Sequence, residues 1–210
     1  MSMPTSSDLT AFLGTIPGFD LPSGVDLASA VSTATTDFYN RCGRGAFVGD
    51  TSTTAVPVLQ NMMIGRRAII EIPDMWAITE VRTDYTGTAG TGTVLAEFSG
   101  YRVWPQNRSI KGNPVEAIEL FTGGQHNLYL LVTGKLGFSQ DCPPPVFRAI
   151  LHGASALVLA QTQGAAGATM RLKQGQREVQ YDNTAGRSTY DRFQNHVVTV
   201  ASQYMRIPYV

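Results

Sequence analysis

The chain has 210 residues, 43% of them hydrophobic, and its 16 basic side chains balance 16 acidic ones. That length suits one domain with an insertion or two small lobes, and the apolar share supports a real core and argues against wholesale disorder. A general nucleic-acid binder carries a basic excess, which this chain lacks.

The even balance hides a gradient. Nine basic and 13 acidic residues precede Val146, whereas 7 basic and 3 acidic residues follow from it onward. Such a gradient fits a subunit whose C-terminal part faces an acidic partner surface. Cys42 and Cys142 form no zinc spacing, no CxxC pair and no disulfide framework, so two free thiols are expected. The stretch from Met1 to Asp8 has no basic n-region or apolar h-region, and no apolar run approaches the roughly 18 residues that span a bilayer. A soluble, non-exported protein is the expectation.

In chain order, a short helical turn is predicted from about Ser7 to Leu13, closed by Gly14 and Pro17-Gly18. Ser23-Gly-Val-Asp26 reads as a capping box. Behind it, Leu27, Val31, Ala34 and Phe38 recur at helical spacing, and Gly43 and Gly45 stand where the helix should end. The 44–65 segment reads as a loop. The period then changes to two. Strands are predicted over Ala68–Ile72, ending at Pro73, and over Trp76–Tyr85, with Thr86–Thr93 as a flexible hairpin tip. Val94–Phe98 and Tyr101–Trp104 flank a tight turn at Ser99-Gly100. Val115–Phe121 and Leu128–Val132 complete five or six antiparallel strands.

Helix returns after Asp141, read as a cap ahead of Pro143, Pro144 and Pro145, residues that a first helical turn tolerates. Val146, Phe147, Ile150, Leu151, Ala154, Leu157 and Val158 give an apolar face too broad for a surface helix, so burial is expected. Gly164–Ala168 should end it. A polar segment from Met170 to Arg187 follows, with a short strand at Val179 and Tyr181, and Ser188–Asp191 reads as a capping box for a last helix that Pro208 stops. The predicted class is therefore α+β. N- and C-terminal helices form a bundle with an inserted antiparallel β-sheet or small β-sandwich, divided into residues 1–65, 66–135 and 136–210.

The search for chemistry finds no catalytic, cofactor-binding or metal site. His126, His152 and His196 lack a Cys, Asp or Glu at i+3 or i+4 to complete a ligand pair. Ser155 lies mid-helix, with Leu157 where a nucleophile elbow needs its second glycine. Gly87, Gly90 and Gly92 have neither the lysine nor the following helix of a phosphate cradle. Glu116 and Glu119, three apart on a strand, point to opposite faces and so do not form an acid–base pair. Asn107-Arg-Ser109 is a glycosylation sequon only in a secreted protein. What remains is interaction surface: the hairpin tip, the long polar loops and the apolar tail Ile207–Val210.

On these residues the chain resembles the head–tail adaptor (connector) family of tailed phages and gene transfer agents. The resemblance runs through Phe12-Leu13-Gly14, Cys42-Gly43-Arg44-Gly45-Ala46-Phe47 and Ile69–Pro73 with Ala77–Val81. It continues through Tyr101–Pro105, Gly137-Phe138-Ser139 with Pro143–Pro145, and Tyr204–Pro208. It implies a non-enzymatic virion protein of the neck, assembled in the host cytoplasm. A dodecameric ring would dock on the portal protein and bind a stopper or tail protein on its other face, and genome DNA would pass through without sequence-specific binding. Portal docking is expected of Tyr204, Met205, Arg206, Ile207, Pro208, Tyr209 and Val210. Contacts between neighbouring copies are expected of loops carrying Gly87, Gly90, Gly92, Arg171, Lys173 and Arg177. The nearest other role is a different neck component, such as a stopper (a mostly β type of protein) or a tail-completion protein.

Overall fold

The computed structural model describes residues 2–16, 21, 23–58, 63–64, 67–88, 90–106, 112–121, 128–162, 170–174, 177–181 and 184–206. They form two compact units. One comprises Met3–Gly43 with Pro143–Met205, and the other comprises Arg44–Cys142 with the segment that begins at Arg206. The fold is α+β, with helices from both ends of the chain on either side of an antiparallel sheet in sequence.

In the helical unit, α1 (Ser6–Leu13) starts with a reciprocal cap. Thr5 Oγ1 accepts from the Asp8 N–H, and the Asp8 carboxylate accepts from the Thr5 N–H at 2.8 Å. The next helix, α2 (Leu27–Cys42), is capped by Asp26, whose Oδ1 accepts from the Ser29 N–H at 3.0 Å. The capping box expected at Ser23 is thus corrected: Asp26 is the cap itself, because its carboxylate already takes the orphan donor of the first turn. Gly43 ends α2 in the left-handed conformation, as the glycine placement anticipated. α2 packs on α3 (Pro144–Thr162) where Gly153 faces Ala34, and a methyl group at 153 would stand 3.3 Å from the Ala34 Cβ. Val146, Ile150, Leu151, Ala154 and Val158 of α3 are buried, as predicted, whereas Phe147 and Leu157 of the same expected face are half-buried. Because α3 starts at Pro144, with the Phe147 N–H donating to the Pro143 carbonyl, Asp141 lies ahead of the cap position assigned to it.

The Met170–Arg187 segment departs from expectation. It contains a two-stranded hairpin, β8 (Met170–Gln174) with β9 (Arg177–Tyr181), rather than one short strand. The last helix, α4 (Thr184–Gln203), begins four residues before Ser188, which is therefore no cap. Phe193, Val197, Val200 and Ala201 line its buried side. The Gly164–Ala168 terminator lies outside the described residues.

The second unit is one sheet, with no sandwich partner among the described residues. Its order is β1 (Thr51–Val58), β7 (Leu128–Leu136), β3 (Arg67–Asp84), β6 (Val115–Leu120) and β5 (Tyr101–Trp104). The short β2 (Met63–Ile64) and β4 (Thr93–Val94) pair with β3. Three expectations change. The 44–65 segment contains β1, paired with β7 from Thr51↔Lys135 to Val58↔Leu128. The strands on either side of Pro73 are one 18-residue strand. β3 pairs with β6 up to Glu71 and again at Met75, then follows β7, and Pro73 sits in the shift, where a missing N–H costs no ladder bond. The Val94–Phe98 strand shrinks to β4. Ile70, Ile72, Met75, Ile118, Leu120 and Leu130 form the centre of the sheet's core.

Candidate interaction surfaces

The register shift in β3 organises the sheet's charged cluster. Arg44 Nη1 lies 2.8 Å from Asp74 Oδ2 and 2.9 Å from Glu116 Oε1, and its guanidinium stacks 5.0 Å from the Phe138 ring centre. Arg206 closes the same cluster. Its Nη2 donates to the Ile72 and Glu116 carbonyls at 2.9 and 3.0 Å, and its guanidinium lies 3.7 Å from Glu71 and 3.9 Å from Asp74. Burial pushes the Asp74 carboxyl above its ordinary range, and Arg44 and Arg206 only partly offset that. Glu119 has a different cation: Arg67 Nη1 lies 3.1 Å from its Oε1, and Trp104 Nε1 donates to Oε2 at 3.2 Å. The odd spacing of Glu116 and Glu119 therefore sends them to separate arginines, as strand alternation requires.

In the helical unit the rings of His152 and His196 lie 4.4 Å apart, beside Phe12 and Phe193. Burial pushes His152 down to about 4, assisted by His196, Arg192 and Arg148. Ser155 is fully buried within α3, where no substrate reaches its hydroxyl. Both cysteines are buried, and burial pushes the Cys142 thiol up to about 11. Among the described residues, no three His, Cys, Asp or Glu side chains group to hold a metal, and no helix is long and apolar enough to cross a membrane. His126 and the Asn107–Ser109 sequon lie outside the described residues.

Of the expected docking residues, Tyr204 closes the last turn of α4, its N–H donating to the Ala201 carbonyl at 3.1 Å. Met205 is 55% exposed. Arg206 is engaged within the cluster just described. Ile207, Pro208, Tyr209 and Val210 lie outside the described residues. Arg171 and Lys173 stand on β8 opposite Gln180 and Glu178, and Arg177 stands on β9 opposite Gln174. At the hairpin tip Gly87, Gly90 and Gly92 have φ of +72°, +83° and +85°. Asp84 anchors the tip by accepting from the Thr86 hydroxyl and N–H, which hold its carboxyl well below the usual range. Arg82 forks onto Glu80 and donates to the Gly90 carbonyl at 3.3 Å.

Sequence reasoning missed Phe98. This aromatic residue has φ +67° and is 72% exposed. The left-handed backbone costs an L-residue about 1–2 kcal/mol, and the exposed ring forgoes burial worth about 1.5–3 kcal/mol. Nothing in the letters Phe-Ser-Gly marks a positive φ on the phenylalanine rather than on the glycine.

No family model and no curated protein sequence matches the chain. Chains of solved gene transfer agent particles share its fold. A chain in the neck of an empty GTA particle computed with C6 symmetry aligns over 98% of this chain and 90% of its own length, at 16% identity and a TM-score of 0.53. A chain in the virion of a native gene transfer agent (GTA) particle aligns over 100% of this chain and 95% of its own, at 14% identity and a TM-score of 0.55. The likeness therefore spans both units of the chain.

Proposed function

We propose that the chain is a structural subunit of the neck of a tailed-phage-like particle, and within the neck a head–tail adaptor. It forms a ring under the portal protein, links capsid to stopper or tail, and continues the DNA channel. The observation that carries this reading is the end-to-end fold likeness to chains of GTA particles, one of them from a neck. Sixfold symmetry in that neck suits a ring of twelve copies or of six alike. The side chains agree with a non-enzymatic role, because Asp74, Glu116 and Glu119 pair with arginines and His152 is held neutral in an aromatic cluster. Near-neutral charge suits a channel through which DNA must slide, since a strongly basic wall would grip phosphate.

In this reading the C-terminal segment docks the portal. Arg206 fastens its start to the sheet unit, and Ile207–Val210 make the contact. The hairpin tips at Gly87–Gly92 and at 170–181, with Arg171, Lys173 and Arg177, meet neighbouring copies.

The test mixes the purified chain with the portal of the same particle and sizes the products by mass photometry. A portal gaining one ring of this chain, and losing it when Ile207–Val210 are deleted from a subunit with unchanged circular dichroism, is the expected result. Binding only to a complex already carrying another neck protein would move the assignment to a stopper. Ring addition that survived the deletion would remove the tail from the docking site.

A further inference from the structure

We infer that neighbouring copies join through the two opposite edges of their sheets, with Phe98 beside the β5 edge of one copy seated on the β1 edge of the next; this rests on the ring reading above. β1 and β5 end the sheet order β1-β7-β3-β6-β5, and β1 pairs with β7 alone among the described residues. Soluble proteins protect such edges with charged side chains, bulges, prolines or a covering element. From Thr51 to Val58 there is no charged residue, and Thr51, Thr53, Ala55 and Pro57 stand exposed. Pro57 is the one blocking residue, and it guards only the last part of the strand.

The other edge carries the complementary feature. Phe98 is held rigidly: its N–H donates to the Tyr101 carbonyl at 2.7 Å, the Gly100 N–H to Ala96 at 2.8 Å, and the Phe121 N–H to Gly100 at 3.0 Å. These bonds tie the backbone of the turn to β5 and to the residue after β6, so the point from which the exposed ring projects is fixed. Glycine or asparagine would occupy this left-handed backbone with less strain, and most of the phenylalanine's surface stays exposed in the isolated subunit. A preorganised aromatic is the usual anchor of a protein interface.

The occupant of β1 is a second copy because the two edges differ from each other. An uncharged strand at one end of the sheet and an aromatic knob at the other suit a head-to-tail contact rather than a two-fold pair, and such a contact builds the ring of the reading above where its rotation closes. A foreign partner would satisfy one edge and leave the other uncovered in every subunit.

The experiment places Thr53→Cys and Phe98→Cys singly and together in the full chain, assembles necks, and treats them with a short bis-maleimide. Cys42 and Cys142 are 0% and 1% exposed and stay silent. A ladder of covalent multimers of this chain is expected from the double variant, with each single variant remaining monomeric. The inference is overturned by a ladder from Phe98→Cys alone, by linkage of that position to another protein, or by necks that hold many copies yet give no ladder. Ring assembly itself would then stand. Necks lacking the chain altogether would instead overturn the ring reading and this inference with it. As a second measurement, Phe98→Asn should fold with an equal or higher melting temperature and self-associate about tenfold more weakly, the scale of an interface anchor. Unchanged association would overturn the contact.

Discussion

Arg44 Nη1 meets Asp74 Oδ2 at 2.8 Å with both side chains nearly excluded from water, 6% and 2% exposed, and the same nitrogen reaches Glu116 at 2.9 Å. One buried guanidinium thus serves two carboxylates drawn from β3 and β6. Removing it takes this cation from both carboxylates in a medium that solvates charge poorly, and the Arg206 guanidinium, 3.9 Å from Asp74, replaces it only in part. Arg44→Met should destabilise the sheet unit by about 3–5 kcal/mol. Adding Asp74→Asn and Glu116→Gln to it should recover a large part of the loss. Urea unfolding followed by circular dichroism measures both. A loss below about 1 kcal/mol would show that the pair contributes little.

The helical unit carries a pH dependence of opposite origin. His152 is pushed down to about 4 by burial against Phe12 and Phe193 and by its neighbours His196, Arg192 and Arg148. An unfolded histidine titrates near 6.5. Between those values the unfolded chain takes a proton that the folded chain refuses. Stability is therefore complete above about pH 6.5, falls as the pH drops toward 4, and is flat with respect to this group below that. The loss should be about 2 kcal/mol, less than the full shift implies because the ring keeps some solvent contact. In His152→Phe, melting temperatures measured from pH 7 to 4 should lose this component; an unchanged slope would assign it elsewhere.

Local patterns carried much of the fold, and distant pairings carried the rest. The i, i+3, i+4 spacing of Leu27, Val31, Ala34 and Phe38 and the broad apolar face of α3 are intrinsic to their segments, so both helices were legible. β1 was not. Thr51-Ser-Thr-Thr-Ala-Val-Pro-Val alternates like a strand, yet its Ser/Thr content and Pro57 also suit a loop, and pairing with β7 some 75 residues later decides between them. Likewise Pro73 breaks a strand in most contexts. Here β3 changes its ladder partner at that point, which no window of sequence reveals. The charged cluster unites Arg44, Asp74, Glu116 and Arg206 across the whole chain, so their letters read singly as surface charges.

The helix starts show the same limit on a shorter scale, and they can be tested separately. Ser23 and Asp26 are both good capping residues, but only Asp26 accepts from the first turn of α2. Asp26→Ala should cost about 1 kcal/mol, as should Thr5→Ala at the start of α1. Ser23→Ala should stay within about 0.5 kcal/mol, as expected of a surface change away from a cap. Chemical denaturation of the three variants decides it, and equal costs at Ser23 and Asp26 would restore the capping box to Ser23.

Gly90 and Gly92 both adopt positive φ at the hairpin tip, yet their surroundings differ. A methyl group at Gly90 meets nothing within 4 Å, whereas at Gly92 it would lie 2.3 Å from the Thr83 carbonyl and 2.7 Å from the Asp84 Cβ. Gly90→Ala should cost about 1 kcal/mol, the strain of the left-handed backbone alone. Gly92→Ala forces the backbone apart beside the Thr83↔Thr93 pairing and should cost about 3 kcal/mol or more. Gly90→Asn should be gentler than either, because asparagine tolerates this conformation and the Gly90 carbonyl that Arg82 uses is retained. That ranking separates folding from assembly at one tip. If the tip meets a neighbouring copy, Gly90→Asn should leave the melting temperature nearly unchanged while lowering the yield of portal-bound rings. A fall in yield that merely tracks the fall in stability across the three variants would remove the tip from the interface.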